Sequence, residues 1–166
     1  MIIDYTFFQD GLLRIDGALA LAAPSVTNKG IQNAINSFIE RYEPEYLIKL
    51  LGDELYNDFL KSREESVNKW DEFKAILVEG DSFKRSPIAN YVYFFMLRSF
   101  NSDATLNGVK TDSDEGHLIS PERKMVNAWN DMVKMNTKLV KWLENANLRG
   151  WKLDYELLEP INNFGI

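Results

Sequence analysis

Ser86-Pro87, followed by Ile88, Tyr91, Val92, Phe94, Phe95, Met96, Leu97 and Phe100, constrains this chain more than any other stretch. Serine supplies an N-cap oxygen, and proline suits the first helical position, where its missing N–H is not needed. The residues that follow leave little polar face. A helix that is apolar nearly all round has to be surrounded by others. The chain is therefore expected to be mainly α, a helical bundle with this segment at its centre.

Other periodicities supply its neighbours. Ile31, Ala34, Ile35, Phe38, Ile39 and Tyr42 share one helical face after Thr27 and Asn28. Pro44 should end that helix and open a short second one carrying Tyr46, Leu47, Leu50 and Leu51, with Gly52 as its stop. Asp53 should cap a third, with Leu55, Tyr56, Phe59 and Leu60 inward. Trp70, Phe73, Ile76 and Leu77 mark a fourth over about 69–79. Ser120-Pro121-Glu122 opens a last long helix to about Asn145. Its stripe is Met125, Trp129, Met132, Asn136, Leu139, Val140 and Leu143, with Lys134, Lys138 and Lys141 on the opposite side. Asn136 lies in the apolar stripe and needs a hydrogen-bond partner, because an unpaired buried amide costs ~1–3 kcal/mol.

These elements make a bundle of about five to six helices with short β-like segments. One such segment is the N-terminal arm, 1–26, where Ile2, Ile3, Tyr5, Phe7 and Phe8 read as extended before the turn signal Asp16-Gly17. The other is the loop 101–120, where Thr105-Leu106 and Val109-Lys110 flank Asn107-Gly108. A connection of that length is usually functional or disordered. Residues 27–150 form the helical body, and 151–166 an extended C-terminal arm with Leu157, Leu158, Ile161, Phe164 and Ile166. At 166 residues the whole chain, 1–166, is one domain.

Composition removes several kinds of chemistry. There is no cysteine, so no disulfide framework and no thiolate site. A single histidine excludes paired-histidine zinc sites. The net charge of −6 makes nucleic acid a poor partner for the surface as a whole. That charge is divided: residues 121–152 sum to +4 and the remainder to −10. No apolar run approaches 18 residues and no basic leader opens the chain, so neither a membrane span nor a signal peptide is expected.

Only Asp112-Ser113-Asp114-Glu115-Gly116-His117 looks like a site. It begins like a calcium loop, but Gly116 occupies the fifth position and Arg123 the twelfth. It reads as a solvated acidic loop, and His117, with no nucleophile pattern near it, as a loop or interface residue. Glu43 with Glu45, and Glu64 with Glu65, also read as solvated, since such close positions on a helix do not face one another. No nucleotide-binding or zinc-protease motif occurs. A non-catalytic protein without metal or cofactor is expected.

Two features invite a partner instead. The Lys134/Lys138/Lys141 row is either an ordinary solvated face or a contact for an acidic neighbour, such as a second copy. The apolar arms either fold back on their own bundle or reach another subunit.

The run Glu40-Arg41-Tyr42-Glu43-Pro44-Glu45-Tyr46-Leu47 is followed by Leu50-Leu51-Gly52 and Leu55-Tyr56-Asn57-Asp58-Phe59. With it come Tyr91-Val92-Tyr93-Phe94 and Arg98, Asn107-Gly108-Val109, Ser120-Pro121 with Ala128-Trp129-Asn130, and the ending Pro160-Ile161-Asn162-Asn163-Phe164-Gly165-Ile166. This pattern resembles small proteins encoded among the virion genes of phages and prophages of Bacteroides-type gut bacteria. They are similar in layout to the head–tail connector (adaptor or neck ring) proteins of tailed phages.

The resemblance implies a virion protein made in the host bacterial cytoplasm. It would assemble as a homo-oligomeric ring, commonly a dodecamer, between the portal protein and the next neck or tail protein. DNA would only pass through the lumen, and no membrane would be involved. Interface candidates on this reading are Phe7, Phe8, Leu106, Asn107, Gly108, Val109, Lys134, Lys138, Lys141, Phe164 and Ile166. The alternatives are a small helical regulatory or protein-binding module outside any virion, and an enzyme working through the 112–117 loop.

Overall fold

The fold was read from a computed structural model. It describes residues 1–15, 18, 26–62, 70–80, 84–102, 121–146, 148 and 150–162. Among these residues the protein is mainly helical, with five α-helices and no strand: α1 (Val26–Leu51), α2 (Asp53–Lys61), α3 (Asp71–Leu77), α4 (Pro87–Ser102) and α5 (Pro121–Asn145). Short 3-10 turns cover Tyr5–Phe8, Gly11–Leu13 and Tyr155–Leu158.

α4 lies at the centre, as its composition requires. Ile88, Ala89, Tyr91 and Val92 are fully buried on one turn of it. It packs most extensively on α5 and next on α1. Both α4 and α5 begin with proline, where the sequence places their starts. The capping at Ser86 differs from the expected form. Its carbonyl accepts from the backbone N–H and side-chain Nδ2 of Asn90, both at 3.1 Å, while its hydroxyl finds no partner among the described residues.

The expected break at Pro44 is absent, and α1 runs through it for 26 residues. Proline inside a helix costs about 3 kcal/mol. The buried face stays in phase on both sides of it, with Ile35 and Ile39 before and Tyr46, Leu47, Leu50 and Leu51 after. Each large apolar side chain contributes ~1.5–3 kcal/mol when buried, so tertiary packing outweighs the local penalty.

The N-terminal arm also departs from the sequence reading, being turned rather than β-like. Asp4 accepts from the N–H of Thr6 and opens the first 3-10 turn. The Ile15 N–H then returns to the Phe8 carbonyl at 2.9 Å. No neighbouring strand among the described residues offers a ladder here, so local turns satisfy the backbone instead. The Asp16-Gly17 signal and the β-like hairpin expected within 101–120 lie outside the described residues. The one β-type pairing among the described residues joins Glu79 to Arg85 between α3 and α4.

Aromatic rings fill two zones. Phe59, Trp70 and Phe73 meet edge-on at 5.3–5.6 Å where α2 and α3 join, with Trp142 of α5 against Phe73. Tyr42, Tyr91, Phe94, Phe95 and Trp129 form a second group across α1, α4 and α5. Edge-to-face and offset pairs of this kind suit the ring quadrupole.

Candidate functional site

Both terminal segments dock on the helical body, by different means. Phe8 is fully buried against Tyr93 of α4, and Phe7 and Ile3 are nearly so. Glu43 of α1 completes the attachment: its carboxylate accepts from the N–H of Ile2 at 2.9 Å and of Ile3 at 3.2 Å. The Glu43 side chain is 6 % exposed, so the solvated reading is corrected. A buried carboxylate needs donors, and the first amides of the arm provide them. Glu45 is likewise engaged, accepting from the Tyr91 hydroxyl at 2.8 Å. Burial first, then Glu45, raises the Tyr91 pKa far above the ordinary tyrosine value.

The C-terminal segment from Trp151 to Asn162 is a strap laid over α1 and α5. Its first part covers the end of α1, whose last carbonyls have no intrahelical partner. Lys152 N–H donates to the Leu51 carbonyl at 3.2 Å and Asp154 N–H to the Lys49 carbonyl at 2.7 Å. Gly52, with φ at 78°, allows this approach, because a Cβ there would stand 3.2 Å from the Lys152 Cβ. Lys49 pairs with Asp154 and Glu156. Burial pulls the Lys49 pKa down, but the two carboxylates outweigh it and leave the pKa raised.

The second part of the strap is held by α5. Asn136 is fully buried, as the helical stripe places it, and has the partners its position requires. It donates to the Leu157 carbonyl at 2.9 Å and accepts from the Tyr46 hydroxyl at 2.6 Å. Burial raises the Tyr46 pKa well above the ordinary value and keeps this hydroxyl a donor. Trp129 Nε1 donates to the Glu159 carbonyl at 2.8 Å. Asn130 donates to the Ile161 carbonyl at 2.8 Å and accepts from the Ile161 N–H at 2.9 Å. Leu157 is the side chain of the strap that is fully buried.

The interface candidates are thus dispersed. Phe7 and Phe8 face the chain's own core. Lys134 and Lys138 are 77 % and 69 % exposed on α5, with Asp131 at 2.9 Å from Lys134 and Glu79 at 3.7 Å from Lys138. Lys141 is exposed on the same helix and makes no ion pair among the described residues. Leu106, Asn107, Gly108, Val109, Phe164 and Ile166 lie outside the described residues, as do the 112–117 loop and Glu64 with Glu65.

The backbone-reading row Trp129, Asn130 and Asn136 was missed as a unit. Its signal was two asparagines and an indole on one helix, polar groups that a core position tolerates only with partners.

Among the described residues, no group of three His, Asp or Glu side chains is placed to hold a metal ion. No helix described is long and apolar enough to cross a membrane. No protein-family model, curated protein or solved structure matches the chain.

Proposed function

We propose that this chain is a structural subunit of a phage head–tail connector. It would form a homo-oligomeric ring, a dodecamer in the simplest form, between the portal protein and the next neck or tail protein. The observation that supports it most is how the polar interior is used. Glu43, Asn130 and Asn136 each hold a piece of the chain's own backbone in place. Such groups serve geometry, which is what a ring subunit must supply: the same surface, in the same place, on every copy. The Lys134/Lys138/Lys141 face adds a charged row available to an acidic neighbour. The Tyr-Glu-Pro and Leu-Leu-Gly runs, which resemble those of connector-type proteins, give the reading its name.

On this reading the protein resides in the virion neck, carries out no catalysis and lets DNA pass without gripping it. The test is to purify virions of a phage that carries the gene and to mix the full chain with the portal protein of that phage. Expected are the protein in the virions by mass spectrometry and a complex with portal by sizing and electron microscopy, weakened by the triple change of Lys134, Lys138 and Lys141 to Glu. Virions that lack the protein, together with no complex, overturn the proposal.

A further inference from the structure

We propose that the lysine row of α5 docks on the outer, acidic face of the strap of a second copy of this chain, head to tail. The proposal rests on the homo-oligomeric part of the connector reading and names the surfaces that would meet. It does not depend on where in a virion the oligomer sits.

Helical spacing makes the basic face. Lys134, Lys138 and Lys141 are three and four positions apart, so they form one row on α5. All three are exposed, Lys134 and Lys138 at 77 % and 69 %. Their partners within the chain hold them loosely. Asp131 lies one turn before Lys134 on the same helix, and Glu79 is 3.7 Å from Lys138. Exposed pairs of this kind contribute little.

The strap carries the opposite sign. Asp154, Glu156 and Glu159 are exposed along it. Glu45 stands beside them: it accepts from the Tyr91 hydroxyl, and the charge of Glu156 acts on that same hydroxyl. Lys49 is the cation set among these four carboxylates, while Lys152 stands at the far end of the strap, against Gly52. Tyr155, between Asp154 and Glu156, is 73 % exposed. Aromatic rings are enriched at protein interfaces, and a ring face attracts a cation. Lysines meeting carboxylates around a bare ring match in sign and in kind.

The two faces cannot meet within one molecule. Asn136 of α5 is turned to the strap, and the three lysines lie roughly 140–200° around the helix from it at 3.6 residues per turn. The row therefore looks away from the strap that its own helix holds. A patch and its complement on different sides of one subunit join head to tail, in a closed ring or an open filament. A second copy is favoured as the occupant because the complement is built into every copy. Nucleic acid is disfavoured by Asp131 and Glu79 at the row itself.

The test is a charge swap on the full chain, read by sedimentation velocity at low and high salt. The basic-face variant carries Lys134→Glu, Lys138→Glu and Lys141→Glu, and the acidic-face variant carries Glu156→Lys and Glu159→Lys. All five positions are exposed, and circular dichroism checks that each variant keeps its helices. The wild type should self-associate at low salt and less so at high salt, because screening weakens the contact. Each variant alone sets like charges face to face and should associate about tenfold more weakly or worse. Mixed one to one, the two variants offer opposite charges at every contact and should recover association.

A wild type that stays monomeric at low salt overturns the proposal. So does a mixture no better than its parts, which also covers a variant that has lost its fold. Self-association that survives both reversals refutes this pairing of faces but leaves the ring standing, since the virion and portal assays are read separately.

Discussion

The two ends of the chain both lie on the bundle, but they divide the work differently between side chain and main chain. The N-terminal arm inserts Ile3, Phe7 and Phe8 into the core and is recognised mainly by apolar volume. The C-terminal strap buries one side chain fully, Leu157, packs Trp151, Leu153 and Ile161 partly buried on the core and pairs Asp154 and Glu156 with Lys49, while its path is fixed by bonds to its main chain. Apolar volume specifies a sequence; backbone reading specifies a path. The first attachment therefore belongs to the core, and the second can be loosened while the core persists.

The sharpest way to break this comparison is Phe8→Ala. Removing a fully buried aromatic costs ~3–5 kcal/mol, and the loss should appear as a lower urea midpoint for the whole molecule. If only the arm loosens, the arm is not part of the core. Asn136→Ala comes next. It leaves the Tyr46 hydroxyl and the Leu157 carbonyl unpaired in the interior, for about 2–3 kcal/mol by the same denaturation measurement.

Gly52→Ala should act at the strap. Its φ of 78° and ψ of 162° belong to a region reserved almost wholly for glycine, with a cost of about 1–2 kcal/mol. The added Cβ would also crowd Lys152. Hydrogen exchange should speed up at Lys152 and Asp154 and stay slow at Ile3. Equal acceleration at both ends would erase the distinction.

The smallest effect is expected from Lys49→Met, below ~1 kcal/mol for a partly exposed pair. Its value lies in its pH dependence. The Lys49 pKa is raised on folding, so its contribution is complete below the ordinary lysine value of 10.5 and is lost as pH rises through the folded value. Tyr46 and Tyr91 act in the same direction, because their raised values favour the neutral, folded form below the ordinary 10.0. The native protein should lose stability progressively above about pH 10. Lys49→Met should keep the tyrosine part of that loss and show less opening of the strap. Unchanged stability up to strongly alkaline pH would contradict the buried hydroxyls.

Much of the helical frame was legible because it depends on local chemistry. Proline begins both α4 and α5, and the buried stripe of α5 follows helical spacing down to Asn136, whose need for partners could be stated in advance. Pro44 was misleading for the opposite reason: its penalty is local, and what overrides it is packing by residues far along the chain. Glu43 was misread similarly. Its charge suggests water, while its partners, the amides of Ile2 and Ile3, lie some 40 residues away. The arms were readable as sticky, but apolar residues say only that something must cover them. The Lys134 and Lys138 side chains are outward as the spacing placed them, and nothing in that spacing names a partner.

The cover over the end of α1 also has a consequence in time. The carbonyls of Lys49 and Leu51 leave the ribosome about a hundred residues before the amides of Asp154 and Lys152 that close them. At synthesis rates of ~5–20 residues per second, that is a wait of roughly 5–20 s. Throughout it, water must stand in for the strap at one end of the longest helix.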